Sequence, residues 1–201
     1  MDITLISRGI PDLLPMERTG DPASHVSYII RDMCIRLGHF ESDEERGGPS
    51  LTRLELGNSF EDAVVRALAE RYIKSDPDRY VRLGELTMDG LIGTSDLYDA
   101  VLAAIIEIKL TWMSSRHGDD VEGAVKFWKY LTQLMAYCRM AYTRIGFLHV
   151  CFVNGDYRSN RDPDYRAWRI EFTQEELDEN WIKLTRHAAL MRRERAQGAT
   201  T

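Results

Sequence analysis

Two carboxylates and an ammonium stand close together near the middle of the chain, as Asp96, Glu107 and Lys109. Glu107 and Lys109 lie two residues apart inside the most apolar run, residues 101–112, which predicts a β-strand. Because side chains of a strand alternate between its faces, the two charges share one face. The other face carries Ile106, Ile108 and Leu110. A pair of charges on one face of an apolar strand is typical of a core strand that emerges into a cleft.

Asp96 lies just before a predicted turn at Tyr98–Asp99, at the end of a preceding strand that begins near Leu86. A hairpin would bring Asp96 alongside Glu107 and Lys109. Buried charges need a partner or a metal ion, and paired carboxylates suit Mg²⁺, which prefers oxygen ligands. A neighbouring lysine can hold or deprotonate an attacking water, so the set can hydrolyse a phosphodiester. The alternative is an ordinary surface pair, since Glu-x-Lys on a half-exposed strand is common.

Length and composition indicate a globular protein with one sizeable core. The chain has 201 residues, 44% of them hydrophobic and 29% charged, with a net charge of −6. That charge argues against uniform coating by nucleic acid but allows a local DNA-binding patch. No run approaches the roughly 20 apolar residues of a membrane span, and no signal peptide is visible. The cysteines, at 34, 138 and 151, lack zinc-ligand spacing and predict reduced thiols in a cytoplasm.

The predicted elements alternate between helices and strands. Helices are expected at about 23–37, 51–74 and 124–144, and a capping box at Thr173–Glu176 opens a last helix. Strands are expected at 80–83, in the central pair, and at 147–153 and 167–172. Residues 1–20 are expected to be an irregular arm and 197–201 a disordered tail. This order predicts an α/β or α+β domain whose small mixed sheet is flanked by helices.

Two of the helices carry further candidate residues. Glu61 lies beside the buried stripe of the second helix, where an exposed glutamate is the alternative interpretation. A stripe on the third helix holds Lys126, Lys129, Gln133 and Tyr137 at spacings of three and four. Such a stripe can contact a phosphate backbone, although an ordinary solvated face is the alternative.

These residues resemble the motifs of PD-(D/E)xK nucleases, in the branch that includes RecB-type nuclease domains, Cas4 proteins and phage recombination exonucleases. Each motif falls in the expected kind of element and in the expected order, over about residues 55–140. They are G-x-x-x-E at Gly57–Glu61, G-x-x-D at Gly93–Asp96, E-x-K at Glu107–Lys109 and Q-x-x-x-Y at Gln133–Tyr137. The resemblance implies a restriction-endonuclease-like core and a single nuclease domain over residues 1–201.

The resemblance also implies roles for the motif residues. Asp96 and Glu107, with the backbone carbonyl of Ile108, would hold Mg²⁺ or Mn²⁺. Glu61 would bind metal through water or a second ion, and Lys109 would orient and activate the attacking water. Gln133 and Tyr137 would fix their helix against the site and position the DNA, with Lys126 and Lys129 as further DNA contacts.

The implied activity is that of a metal-dependent DNA exonuclease acting on double-stranded ends in phage or bacterial recombination or repair. It would act in the cytoplasm of a bacterium or infected host, alone or through a partner protein, because no helicase module is present. No iron–sulfur cluster is expected, since only Cys34 is suggestively placed. A structure-specific endonuclease and a non-catalytic DNA-binding protein are the alternatives. The intact set Asp96, Glu107 and Lys109 argues against the second.

Overall fold

The fold is organised around β5 (Ala104–Thr111), the strand that carries the Glu-x-Lys motif. The computed structural model describes residues 21–38, 48–72, 75–121, 127–159 and 161–198. The predicted arm at 1–20, Lys126 and residues 199–201 lie outside these ranges. Residues 197 and 198 belong to the last helix rather than to a tail. Across the described ranges, no helix is long and apolar enough to cross a membrane.

The predicted class, a mixed sheet flanked by helices, is confirmed. The helices are α1 (Val26–Arg36), α2 (Gly48–Tyr72), α3 (Trp128–Met140) and α4 (Gln174–Gly198), with 3-10 turns at Pro22–Ser24 and Ser115–Asp119. The remaining strands are β1 (Tyr80–Val81), β2 (Glu85–Met88), β3 (Leu91–Thr94), β4 (Leu97–Asp99), β6 (Ile145–Phe152) and β7 (Asp164–Glu171).

The main sheet has five strands in the order β1-β4-β5-β6-β7, and β2 pairs with β3 in a separate hairpin. β5 and β6 are parallel over their whole length, while the other pairs are antiparallel. β4 covers only the first part of β5, because their pairing ends at Leu97 and Ile106. From Glu107 onward, β4 no longer covers that edge of β5, so side chains can lie against it.

The two faces of the sheet are covered by different helices. α1, α3 and α4 pack over one face, in a core that contains Ile105. α2 packs over the other face, in a smaller core that contains Ile106 and Ile108, with Leu110 against it. The predicted alternation of β5 is therefore confirmed, and Glu107 and Lys109 lie on the α3 side.

The predicted hairpin between 86 and 112 is wrong in its details. The chain first makes the β2–β3 hairpin, with Asp89 (φ 50°) and Gly90 (φ 74°) in its turn. Asp96 lies in the bend between β3 and β4 rather than at the end of a strand, and the turn before β5 falls at residues 100–103. Asp-Gly is a strong signal for a tight hairpin turn because both residues adopt left-handed conformations readily.

α3 ends four residues before the predicted limit at 144, while the first predicted residues of this helix, 124–126, lie outside the described ranges. It ends because Tyr142 takes a left-handed conformation (φ 54°), while the Thr143 amide donates to the Cys138 carbonyl at 3.0 Å and the Tyr142 amide to that of Arg139 at 3.3 Å. This is the Schellman arrangement, with tyrosine where glycine is usual. Gly146, the glycine that follows the predicted helix, does not end it and lies in β6.

The predicted start of α4 is confirmed. The Thr173 amide donates to Glu176 Oε2 at 2.7 Å, and the Glu176 amide donates to Thr173 Oγ1 at 3.2 Å. This reciprocal capping box satisfies amides that have no partner in the first helical turn.

Candidate active site

Asp96 lies against the open edge of β5. Leu97 pairs with Ile106 in an antiparallel ladder. Asp96 precedes Leu97 and Glu107 follows Ile106, so Asp96 lies beside Glu107. Its Oδ2 accepts a hydrogen bond from the Ile108 amide at 2.6 Å, which ties the carboxylate to the strand that carries the Glu-x-Lys motif. The approach of Asp96 to this strand, inferred from the sequence, is observed, although the chain reaches it by a different path.

Glu107 and Lys109 form an ion pair on the α3 side of β5. The Lys109 ammonium contacts Glu107 Oε1, and the Glu107 side chain is fully buried while that of Lys109 is 20% exposed. The second carboxylate oxygen, Glu107 Oε2, is buried without a hydrogen-bond partner among the described residues. A buried carboxylate oxygen without a partner is costly, so this atom is suited to accept a cation or a proton.

α2 brings Glu61 to the same place. Its half-buried carboxyl lies near that of Asp96, so burial and this neighbouring charge favour the protonated form of Glu61. Burial, followed by the charge of Asp96, raises the pKa of Glu61 to about 8. Burial and Asp96 also raise the pKa of Glu107 to about 8. Carboxyls that repel one another in a low-dielectric site retain protons to higher pH.

Lys109 is a strongly held ammonium. Burial lowers its pKa, but the neighbouring carboxylates of Glu107 and Asp96 outweigh that effect, and the net pKa is raised. In this arrangement Lys109 acts as a hydrogen-bond donor and a positive charge. It cannot accept a proton from water while both carboxylates remain beside it.

The donor set suits a divalent metal ion, although no three metal-binding side chains already converge into a metal cage within the described ranges. The Ile108 amide donates to the Asp96 carboxylate, and the Lys109 ammonium donates to the Glu107 carboxylate. The two carboxylates are thus held near one ammonium. Burial and the charge of Asp96 raise the pKa values of Glu61 and Glu107, and Glu107 Oε2 has no hydrogen-bond partner among the described residues, so a bound cation would relieve the repulsion among these carboxylates. Hard cations such as Mg²⁺ and Mn²⁺ are bound by oxygen donors of this kind.

Tyr137 of α3 packs directly on Gly93 of β3, three residues before Asp96. The ring is buried, and a β-carbon at position 93 would lie 2.5 Å from Tyr137 Cε1. Gln133 Nε2 donates to Tyr137 Oη at 2.9 Å, which fixes the phenol. Burial and the charge of Glu107 raise the pKa of Tyr137, and the second effect shows that the ring lies near the cluster. The glycine is therefore required for close packing between helix and hairpin.

Of the two lysines in the predicted cationic stripe of α3, Lys129 lies within the described ranges and Lys126 does not. Lys129 is half-buried, with its ammonium 4.8 Å from the centroid of the Tyr130 ring. It lies two helical turns from Tyr137, about 12 Å along the axis at 1.5 Å per residue. Lys129 therefore does not belong to the carboxylate cluster itself, and its contact with DNA remains a prediction.

Arg82 borders the cluster and was not identified from the sequence. Its guanidinium pairs with Asp62, the neighbour of Glu61, and its charge opposes the rise in the pKa of Glu61 that burial and Asp96 cause. An isolated arginine after a short strand carries no signal in the sequence, because the fold alone brings it to this place.

Comparisons with known proteins found similar structures but no similar sequences. No protein-family model matches the chain, and no curated protein is significantly similar to it. A phage-related exonuclease from Haemophilus somnus 129PT is 14% identical, with a TM-score of 0.49, covering 81% of this chain and 78% of its own. An alkaline exonuclease from Laribacter hongkongensis is 17% identical, with a TM-score of 0.42, covering 86% and 93%.

The Laribacter exonuclease in complex with dAMP gives a TM-score of 0.45 at 17% identity, covering 88% of this chain and 94% of its own. At such identities and TM-scores, the likeness says nothing about substrate or activity.

Proposed function

We propose that this chain is a metal-dependent DNA nuclease, and specifically an exonuclease that hydrolyses phosphodiester bonds at double-stranded ends. The observation that carries the proposal is the convergence of Glu61, Asp96, Glu107 and Lys109 at the open edge of β5. At this place Glu107 Oε2 is buried without a hydrogen-bond partner among the described residues, and burial with the charge of Asp96 raises the pKa of Glu61. Strongly perturbed groups that converge in this way are typical of catalytic sites.

Asp96 and Glu107, with the Ile108 carbonyl, would hold Mg²⁺ or Mn²⁺, and Glu61 would act through water or a second ion. A bound divalent ion supplies positive charge to the phosphate oxygens and lowers the pKa of a coordinated water. Glu107 Oε2 supports this assignment because it is buried without a partner in the described part of the chain. No iron–sulfur cluster is part of the proposal.

Lys109 would serve the reacting water and the phosphate. Its ammonium now contacts Glu107 Oε1 and would turn from that oxygen when Glu107 binds a cation. The freed Nζ–H groups would then donate to the attacking water and to a phosphate oxygen, where negative charge grows during attack. Loss of the contact with Glu107 would also lower the pKa of Lys109, so that its ammonium could release one proton to solvent and the resulting neutral amine could then take a proton from the attacking water.

The whole chain would be one nuclease domain that serves phage or bacterial DNA recombination or repair, with or without a partner protein. Tyr137 and Gln133 would hold α3 against the site, and Lys126 and Lys129 would contact the DNA backbone. The motif resemblance and the ordered cluster around Glu107 support this reading.

Digestion of two DNA forms with Mg²⁺ or Mn²⁺ tests the proposal. The exonuclease should shorten end-labelled linear duplex stepwise and leave covalently closed circles intact. Asp96→Asn should abolish cleavage, whereas Glu171→Gln should cleave at the wild-type rate, because Glu171 is an exposed acid on the distant edge strand β7. Nicking of circles would establish the endonuclease alternative. Binding of DNA without cleavage of either form would favour the non-catalytic alternative.

A further inference from the structure

An exposed ion pair stands at the edge of the carboxylate cluster. Arg82, directly after β1, contacts Asp62 of α2, with Nη2 and Oδ1 2.5 Å apart. The side chains are 46% and 35% exposed, so the guanidinium is open to solvent. Exposed pairs of this kind contribute little to stability and exchange partners readily.

Both members of the pair are next to carboxylates of the site. Tyr80 pairs with Asp99 and Val81 with Tyr98, so continuing this antiparallel register places Arg82 opposite Leu97, the residue after Asp96. Asp62 follows Glu61 along α2. The ion pair therefore links α2, which carries Glu61, to the end of β1, which lies beside the strand that follows Asp96.

The electrostatics of the cluster leave a role for an additional cation. Glu61, Asp96 and Glu107 surround a single ammonium, Lys109, which is already in contact with Glu107. The approaching DNA is a polyanion, so carboxylates at the site repel it unless cations hold the phosphates on either side. The guanidinium of Arg82 is exposed, always charged and able to bind a phosphate through two hydrogen bonds.

We propose that Arg82 binds a backbone phosphate of the DNA at the mouth of the site, and that Asp62 holds the guanidinium in place until the phosphate displaces it. This inference rests on the proposed nuclease function and names a substrate contact of the same site. Asp62 would act as a competitor of the phosphate, so the two residues should affect DNA binding in opposite directions.

Anisotropy of a fluorescently labelled blunt duplex, measured with Ca²⁺ at several salt concentrations, tests the proposal together with KM and kcat for cleavage with Mn²⁺. Arg82→Gln should raise Kd and KM about tenfold and reduce the salt slope by about one unit, because one phosphate contact is lost. The kcat should not change, and the affinity for Mn²⁺ should not fall, because the charge that is lost is positive. Arg82→Lys should keep most of the salt slope, since it keeps the charge.

Asp62→Asn should lower Kd about threefold, as expected when an exposed competing partner of Arg82 is removed. In the Arg82→Gln background the same change should have no effect, because no guanidinium remains to be released. Arg169 and Glu171 provide the matched control. They form an exposed pair at 3.2 Å on β7, the opposite edge of the sheet, and Arg169→Gln should leave Kd and the salt slope unchanged.

Three results would overturn the inference. Arg82→Gln with wild-type Kd, KM and salt slope would remove Arg82 from the interface. If Asp62→Asn weakened binding and lowered the melting temperature as much as Arg82→Gln, the pair would only fasten α2 to β1. A wild-type protein that neither binds nor cleaves duplex DNA would overturn the proposed function as well, whereas cleavage that is unaffected by Arg82→Gln would overturn only this inference.

Discussion

The ring of Tyr137 lies where a side chain at position 93 would have to stand. A β-carbon on Gly93 would be 2.5 Å from Tyr137 Cε1 and 3.1 Å from the Met140 sulfur. Tyr137 is buried in α3, and Gly93 leads through the bend to Asp96. The absence of a side chain at position 93 therefore sets how closely the helix approaches the segment that delivers the carboxylate.

Gly93→Ala should lower the free energy of unfolding by about 1–3 kcal/mol, because overpacking forces the ring or the hairpin to move. Cleavage should fall with it, since the displaced hairpin leads into the bend that carries Asp96. Gly57→Ala is the matched control, because a β-carbon on this helical glycine meets nothing within 4 Å. It should stabilise α2 by about 0.5–1 kcal/mol. Equal stability of Gly93→Ala and wild type in urea denaturation would contradict this packing account.

The metal-free protein should lose stability as the pH rises. Glu61 and Glu107 have ordinary pKa values of 4.5, and the fold raises both to about 8. Between these two pH values the folded state therefore binds more protons than the unfolded state. Their contribution is fully present below about 4.5 and is lost as the pH rises through about 8. Urea denaturation in EDTA from pH 6 to 9 measures this loss. Glu107→Gln should flatten the dependence, and an identical slope in that variant would rule out Glu107 as its source.

Mn²⁺ should stabilise the folded protein, because a cation relieves the repulsion among Glu61, Asp96 and Glu107. At 100 times the dissociation constant, the added stability is about 2.7 kcal/mol. The melting temperature should therefore rise with millimolar Mn²⁺ in the wild type and rise much less in Asp96→Asn. A melting temperature that Mn²⁺ leaves unchanged in both proteins would count against a metal site here.

DNA binding should depend on the stripe of α3 as well as on Arg82. Lys126→Ala and Lys129→Ala should each reduce the salt slope of duplex binding by about one unit if each lysine contacts one phosphate. Lys183→Ala serves as the control, because Lys183 is exposed on α4 and pairs only loosely with Glu179, at 4.0 Å. Unaltered affinity and slope in both stripe variants would show that these lysines only face solvent.

The local regularities of the sequence predicted the elements that depend on neighbouring residues. The alternation of β5 followed from period two, and the capping box of α4 followed from Thr173 and Glu176, because both depend on short-range geometry. The end of α3 could not be predicted in this way. Tyr142 takes the left-handed conformation usually left to glycine, while Gly146 is needed in β6 because Leu134 packs within 2.8 Å of its would-be β-carbon.

Tertiary contacts decided the rest of the site. Spacing alone groups Tyr137 with a polar stripe of α3, for which a phosphate contact and a solvated face are the two interpretations. Its ring is buried, because Gly93 leaves room for it. Glu61 was ambiguous on its helix until the packing of α2 on the sheet brought it to Asp96. Arg82 had no signal at all, since its place depends on the short pairing of β1 with β4.

The division of roles between Glu107 and Lys109 is the most direct consequence of their contact. A carboxylate attracts a divalent ion and an ammonium repels it, so removing Lys109 should leave Mn²⁺ binding intact or strengthen it. Glu107→Ala should instead lose metal binding and cleavage together.

Single-turnover cleavage of end-labelled duplex by Lys109→Ala, paired with calorimetric Mn²⁺ titration of the same protein, tests the proposed nuclease site most directly. The variant should bind Mn²⁺ and DNA but cleave roughly 10²–10⁴-fold more slowly, the usual contribution of a group that transfers protons or stabilises charge at the reacting atoms. A Lys109→Ala protein that cleaves at the wild-type rate with Mn²⁺ bound would contradict the proposed mechanism at its centre.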